Sequence, residues 1–411
     1  MGYRIAGIDV HKKVLMAVVL DVEAGQPEVG QRRRFGATTS ELIRLRLWLE
    51  EQGVKEAVME STAQYWRPVW MELEPHMDLQ LAQAYSNRAP RGRKHDFKDA
   101  ERLVRRRLAD ELILSFVPQP DQRAWRTMTR MKTQLARDRV RLHNQLEGLL
   151  EEMRIKLSSV VSDLLGASGQ RILRALANGQ TDAQKLAALG SSQLQCGQQQ
   201  LIDALNGTPS AMHRQLLGLY LERLEVLDTQ MDKLNHMIAT AMKEHEEAVM
   251  RLAEVPGFGA DSAQQVIAEV GPQARAFDSA AQFTSWAGTC PGKEESAEQN
   301  MSSRSAKGNK YLRRVLTEVA QAAVKTKGSH YQIVFRRLLP RLGYKQALWA
   351  VVHRLCRLVW KILHDRVNYI EQGLQRDPKA NQQRARTLAR QLRRLGYNVN
   401  IQPLQPNTAP A

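Results

Sequence analysis

The chain has 411 residues, enough for two or three domains with cores of their own. Lysine and arginine number 60 against 43 acidic residues, a formal net charge of +17, and the isoelectric point is near 10.0. An enzyme of small neutral molecules has no use for that excess, whereas a partner carrying a dense line of phosphates does, so the balance points to nucleic acid. The most apolar stretch, Leu348 to Leu363, is interrupted by His353, Arg354, Arg357 and Lys361, which excludes a membrane span there. The opening Met1-Gly2-Tyr3-Arg4 has neither a signal-peptide nor a myristoylation pattern. Cys196, Cys290 and Cys356 lack metal-ligand spacing and read as reduced thiols, so a cytoplasmic protein is expected.

In chain order, residues 3–21 alternate like a β-hairpin, with strands over 3–9 and 14–20 about a turn at Val10 to Lys13. Arg33-Arg34-Phe35-Gly36 is a candidate third strand. Thr39 or Ser40 caps a helix that aligns Leu42, Leu45 and Leu49. A short buried strand over 56–60 follows, then a helix from about Gln64 to Leu73 and a strand over 79–84. A loop from Ser86 to Lys94 carries Arg88, Arg91, Arg93 and Lys94, and a helix starts at Asp96 and runs to about Arg107. Three antiparallel strands followed by strand–helix alternation predict a mixed-sheet α/β domain over residues 1–117.

Pro118-Gln119-Pro120 marks a boundary, and the chain beyond it reads helical. Residues 118–250 form a helical region in which Leu142, Leu146, Leu149 and Met153 share one face, and 157–210 is a Gly- and Gln-rich insertion of short helices. Leu217, Tyr220, Leu224, Leu227, Met231, Leu234, Ile238 and Ala241 step by three and four residues, the pattern of a coiled coil. The same pattern fits an intramolecular hairpin with residues 121–156. In the region 251–370, Val255-Pro256-Gly257-Phe258-Gly259 sits between two helices like the turn of a helix–hairpin–helix. Backbone N–H groups about Gly257 and Gly259 would then meet a phosphate, against the plainer reading of a simple turn. A basic segment follows with Arg304, Lys307, Lys310, Arg313 and Arg314, and Tyr344 to Leu363 is an amphipathic helix. The tail, 371–411, is basic, with Arg384, Arg386, Arg390, Arg393 and Arg394, and is expected to be partly disordered.

Four acids stand out. Asp96 and Asp99, in Asp96-Phe97-Lys98-Asp99-Ala100, share one face of a helix start and are close enough to share a cation. Like charges that close repel unless a metal or a proton intervenes. Asp9 ends one apolar strand and Glu60 another. Taken singly, each acid has a plainer reading: a turn Asp, a carboxylate before a helix, a solvated helix start. Two-metal phosphoryl chemistry needs three or four carboxylates converging from different elements, and these four supply that number. Mg²⁺ is the cation they suit, with Mn²⁺ as the alternative. Asp96 and Asp99 should then point at Asp9 and Glu60, not at solvent.

In this order, Gly7-Ile8-Asp9-Val10-His11-Lys12, Met59-Glu60-Ser61-Thr62 and Asp96-Phe97-Lys98-Asp99-Ala100 resemble the Asp-Glu-Asp-Asp signature of a class of bacterial insertion-sequence transposases. Val255 to Gly259, Ala268-Glu269-Val270-Gly271, Trp286-Ala287-Gly288 and Ser305 to Arg314 resemble the same family's C-terminal domain. The resemblance implies a ribonuclease-H-like, RuvC-type N-terminal domain with Asp9, Glu60, Asp96 and Asp99 as metal ligands, a coiled-coil middle and a helical C-terminal transposase domain. It further implies a serine nucleophile shortly after a Gly-X-X-Pro turn. In Gly288-Thr289-Cys290-Pro291-Gly292-Lys293-Glu294-Glu295-Ser296-Ala297 that position is Ser296, with Ser302, Ser303 and Ser305 as competitors. Donor and target DNA, a structured bridge RNA that pairs with both, and self-association as a dimer or tetramer through the coiled coil are implied as partners, in a nucleoid-associated setting. The carboxylate domain of one protomer would meet the serine domain of another.

Nucleic-acid contacts are expected at Arg88, Arg91, Arg93 and Lys94, at Arg123, Arg126 and Arg130, at Gly257 and Gly259, and at Arg304, Lys307, Lys310, Arg313 and Arg314; the plain reading of any one cation is a solvated helix surface. Two other functions compete with the transposase. One is a RuvC-like, structure-specific endonuclease in which metal-activated water attacks. The other is a non-catalytic, basic nucleic-acid-binding protein whose acids are structural.

Overall fold

The computed structural model describes residues 3–23, 26–60, 63–87, 96–191, 194–292, 294–296, 299–302, 304–371, 386 and 390. Arg88, Arg91, Arg93, Lys94, Ser303 and the tail residues Arg384, Arg393 and Arg394 lie outside these. The chain divides into two compact units, Met1–Pro118 and Gln119–Ala411.

The first unit is a five-stranded sheet with helices on both faces. Its elements are β1 (Tyr3–Val10), β2 (Val14–Glu23), β3 (Gln26–Gly36), α1 (Thr39–Glu51), β4 (Glu56–Glu60), α2 (Trp66–Leu73), β5 (Asp78–Ala82) and α3 (Asp96–Leu108). The strand order is β3-β2-β1-β4-β5, with β1–β2 and β2–β3 antiparallel and β1–β4 and β4–β5 parallel. β3 is longer than the four residues expected from sequence, because the antiparallel ladder with β2 continues back to Gln26. β5 stops at Ala82, and a 3₁₀ turn over Ala84–Asn87 takes up the rest of the expected strand.

β1 runs through the middle of the sheet and is buried from Ile5 to Val10, which is why its sequence is continuously apolar up to Asp9. Alternation sends Ala6, Ile8 and Val10 to the face covered by α1 and α2, where Leu45, Leu49, Trp70 and Leu73 complete the core. Ile5 and its same-parity neighbours face α3, against Ala100, Leu103 and Val104. A side chain at Gly7 would collide with the Ala100 carbonyl oxygen, so the glycine lets α3 lie directly on β1. That close approach sets the first turn of α3 beside the end of β1.

The second unit is helical. α4 (Pro120–Glu152) and α9 (Ala211–Ala241) lie along one another as a hairpin. Between them come α5 (Leu157–Val160), α6 (Ala167–Ala177), α7 (Ala183–Ala187) and α8 (Gln198–Leu205). Leu142, Leu146 and Leu149 of α4 join Leu217, Leu221 and Leu224 of α9 and Ile172, Leu173 and Leu201 of the short helices in one core. The three–four spacing of α9 is thus used inside the chain, with Arg139 of α4 paired to Asp228 of α9 at 2.9 Å. α10 (Glu246–Ala253), α11 (Ala260–Val270), α12 (Ala280–Ala287), a short antiparallel hairpin of β6 (Glu294–Ser296) and β7 (Gln299–Ser302), α13 (Lys310–Ala323) and α14 (His330–His364) complete the unit. The amphipathic run from Tyr344 belongs to α14, which bends at Gly343 (φ 71°) three residues after Pro340. No described helix is long and apolar enough to cross a membrane.

Candidate active site

Strand parity builds the first cluster. Asp9 is two residues beyond Gly7 and therefore shares its α3-facing side, and Gly7 pairs with Val58 on the parallel neighbour β4, which puts Glu60 on the same side. Both acids stand at the carboxyl ends of adjacent parallel strands, the usual place for a site in a sheet of this kind. α3 brings Asp96 and Asp99 in its first turn.

Asp9 is only 7% exposed. Burial raises its carboxyl above the usual carboxylate range; His11 opposes that rise, and the charges of Asp99, Glu60 and Asp96 add to it. The three other predicted acids therefore lie close enough to Asp9 for their charges to act on it. Their partners differ. Asp99 is buried and accepts from Arg102 Nη2 at 2.8 Å, one turn along α3. Glu60 Oε2 accepts from Asn87 Nδ2 at 2.9 Å, and Asn87 in turn accepts from Arg102 Nε at 3.3 Å through both its backbone and side-chain oxygens. Asp96 keeps 42% of its side chain exposed, so of the helix pair only Asp99 is turned fully away from solvent.

His11 is a residue that strand and helix signals do not single out. Its Nε2 lies 3.1 Å from Asp9 Oδ2 and 4.0 Å from Asp96 Oδ1. Ligand atoms of Asp9, His11 and Asp96 all lie within 4.8 Å of one another, a donor set that can take one cation. The spacing Asp-X-His at a strand end places His11 on the same side as Asp9, and that is the available signal.

The second unit holds the predicted serine. Ser296 ends β6 and pairs with Gln299 across the hairpin. The loop containing the hairpin is closed at its neck, where Gly288 (φ 69°) passes so near Ala306 and Gly308 that a Cβ would stand 2.7 Å from the Ala306 oxygen. Trp349 Nε1 of α14 donates to Ser305 Oγ at 2.6 Å, so the Ser305 hydroxyl oxygen has a structural partner.

The basic residues divide. Arg126 and Arg130 of α4 turn toward Glu269, which is only 2% exposed. Arg130 meets both its oxygens at 2.9 Å, Arg126 Nε lies at 3.4 Å, and Asn309 Nδ2 donates at 2.7 Å. These two arginines, expected at phosphates, are held by an acid inside the fold. Arg314 donates to Glu318 at 2.8 Å and to Thr133 at 3.1 Å, and Arg313 donates to the Ala306 oxygen at 3.0 Å while lying 4.8 Å over Trp349. Arg123 is half-buried, and Arg304, Lys307 and Lys310 are exposed. Gly257 has φ 90° and packs against the backbone of α13 at Val319 and Ala323, so packing accounts for this glycine. Gly259 caps α11 with its own N–H bonded to Ser262 Oγ at 2.9 Å.

Comparison with known proteins bears on both units. Residues 6–155 match the DEDD transposase family of the IS110 type, and residues 249–333 match the family described as Transposase IS116/IS110/IS902. The carboxylate unit and the serine-bearing unit thus fall under transposase families, and the protein is an enzyme of DNA transposition. Both matches are to transposase families of the IS110/IS116 type. This sets aside the non-catalytic reading. A relative described as a probable family 20 transposase of Pseudomonas aeruginosa is 25% identical over 309 residues, covering 74% of this chain and 81% of that protein. Among solved structures, a Ppx/GppA family member from Aquifex aeolicus aligns over 21% of this chain and 37% of its own, at 9% identity and a TM-score of 0.17. The chain spans little more than a third of that protein.

Proposed function

We propose that this transposase cuts and rejoins DNA strands with a divalent cation at Asp9 and Asp96 and with Ser296 as the nucleophile. The observation that carries the reading is the convergence of Asp9, His11 and Asp96, with the charges of Glu60 and Asp99 acting on Asp9. The strand order β3-β2-β1-β4-β5, with only β2 running against the others' direction, supports a ribonuclease-H-like assignment for the first unit. Asn87 and Arg102 fix Glu60 and Asp99, while Asp9 and Asp96 have His11 as their shared partner. The oxygen donors suit Mg²⁺, and the imidazole of His11 would favour Mn²⁺ if it ligates directly. A divalent cation bound there supplies charge neutralisation at a phosphate and a hydroxyl easier to deprotonate. His11 orients the Asp9 carboxylate and, when protonated, offsets its charge.

A serine hydroxyl that attacks phosphorus forms one O–P bond as the P–O bond to the leaving nucleoside breaks. The hydroxyl proton is lost and the departing oxygen gains one, which conserves a phosphoserine for rejoining. Ser296 fits by its place after the Gly288–Pro291 turn, and the Trp349 bond to Ser305 argues against that competitor. The net charge of +17 supports a bridge RNA beside donor and target DNA, whose backbones the protein would read. Exposed Val140, Leu219, Val226 and Met237 on the α4–α9 hairpin support self-association through it. A junction-resolving endonuclease that uses metal-activated water is the second reading, favoured by an imidazole so near the carboxylates.

The test uses the full chain, its copurifying RNA and labelled donor DNA. The covalent protein–DNA adduct and strand joining are both expected to vanish in Ser296→Ala. Cutting that persists in Ser296→Ala without an adduct removes the serine and leaves the water mechanism.

A further inference from the structure

α14 presents Arg354, Arg357 and Lys361 at intervals of three and four residues, a cationic stripe of about 10 Å along one side of the helix. All three are exposed, and none of their side chains has a hydrogen-bond or ion-pair partner among the described residues. They line a cavity of about 620 Å³. Its other walls include three aromatic rings beside aliphatic side chains: Tyr331 near the start of α14, Trp360 between the cations, and Tyr369 from the segment that returns along the helix. These rings are held in place. Trp360 Nε1 donates to the Phe277 oxygen at 2.9 Å, and its ring stacks on His364 with centroids 4.4 Å apart. Tyr369 donates through its hydroxyl to Glu371 at 2.9 Å and through its backbone N–H to Glu254 at 3.2 Å. Those bonds occupy both acids, and Asp365 is the acid among the lining residues.

We infer that this cavity takes one nucleotide of a single-stranded nucleic acid, its phosphates on Arg354, Arg357 and Lys361 and its base among the rings of Trp360, Tyr331 and Tyr369. Three unpartnered cations beside a small-molecule-sized concavity call for an anion, and fixed aromatic rings call for a planar apolar face. A nucleotide has both. A duplex keeps its bases stacked within and cannot offer one to a concave wall, so the ligand is a strand with an accessible base. By charge the chain beyond Glu371 does not suit the cavity, since it carries six arginines and one lysine against a single acidic side chain, Asp377. The site shares no residue with the carboxylates or the serine loop, and it stands whether or not the cutting mechanism does.

The test is fluorescence anisotropy on the full chain in chelator-containing buffer, with labelled twelve-nucleotide DNA and RNA strands of one sequence. The double variant Arg354→Glu, Arg357→Glu is expected to weaken binding tenfold or more to at least one strand. The salt slope should fall by about 0.7 for each phosphate that is no longer neutralised. The single variant Lys361→Glu should weaken binding in the same direction. Lys233→Glu, an exposed charge reversal on α9, is the control. A strand carrying one photoreactive thio-base is expected to crosslink to the peptide containing Trp360 or Tyr369. The DNA and RNA arms identify the source of the strand. The inference fails if the pocket variants change binding of both strands no more than Lys233→Glu does, or if the crosslinks fall only on other peptides. It also fails if free thymidine monophosphate displaces the DNA strand at equal concentration, because the site would then take free nucleotides. None of these outcomes touches strand cutting, which needs a divalent cation and is measured separately.

Discussion

Asp9 and Glu269 are two buried acids in two units, and their surroundings are opposite. Glu269, 2% exposed, is met by Arg130 on both oxygens, by Arg126 and by Asn309. Both of its oxygens thus have charged or amide donors within reach. Asp9, 7% exposed, faces Asp99, Glu60 and Asp96, with His11 as the opposing group among the described residues. A saturated acid holds a structure together; an acid among acids attracts positive charge from outside the chain. Asn309 makes the first statement concrete. Its Oδ1 caps α13 by accepting from Tyr311 N and Leu312 N at 3.0 and 3.1 Å, while its Nδ2 donates to Glu269. The acid therefore ties α4 and α11 to the start of the basic helix that follows the serine loop.

Removing the saturated acid has the largest expected effect. Glu269→Ala leaves two largely buried guanidinium groups and a cap amide without their partner. The expected loss is about 3–5 kcal/mol of stability, read as a fall in the urea midpoint of the full chain. Little change would mean that Arg126 and Arg130 are free to turn outward to phosphate, as their sequence pattern suggests.

A smaller effect is expected from the open acid on α3. Asp96→Asn should leave stability nearly unchanged, because Asp96 is part-exposed, while strand cutting falls by about 10²–10³-fold, on the scale of removing one preorganised electrostatic interaction. The same variant should lose the rise in melting temperature that Mg²⁺ or Mn²⁺ gives the wild-type chain. A cation-induced shift of equal size in the variant would take Asp96 out of the ligand set.

Much of this contrast is legible in the residues, and the limits are physical. Asp9, Glu60, Asp96 and Asp99 can be picked out because strand parity and helix spacing are local rules, and Gly7 adds a close approach of α3 that a local rule also permits. Which acid is left open is only partly legible, because the Arg102–Asp99 pair is an i,i+3 contact within α3 whereas Asn87 reaches Glu60 across 27 residues of sequence. His11 is two residues from a chosen acid yet does not stand out, since a histidine after a strand has no periodic signature. Arg126 and Arg130 look like a nucleic-acid face because their partner lies 139 residues or more away from them in sequence. The three–four spacing of α9 leaves hairpin and dimer open. The hairpin uses that face for its own core at Leu217 and Leu224, and apolar side chains at other positions stay in water. β3 and α14 outrun their expected bounds for different reasons: pairing with β2 extends the strand, and a bend at Gly343 joins two helical runs.

The smallest effect tests the open acid itself through pH. In the cation-free chain the Asp9 carboxyl sits above its ordinary value of 3.8, chiefly because it is buried. The folded state therefore holds that proton more tightly than the unfolded state. Its contribution to stability is fully present below 3.8 and is lost as pH rises through the folded value. Asp9→Asn removes both the titration and the charge. In chelator, the variant should be more stable than wild type at neutral pH by about 0.5–2 kcal/mol, the usual gain when a strained functional residue is replaced. The difference should shrink as pH falls toward 3.8. Saturating divalent cation should reverse the ranking at neutral pH, because wild type then gains binding energy that the amide cannot match. A pH-independent gap would assign the effect to packing, and an unreversed gap would mean that the acids around Asp9 hold no cation.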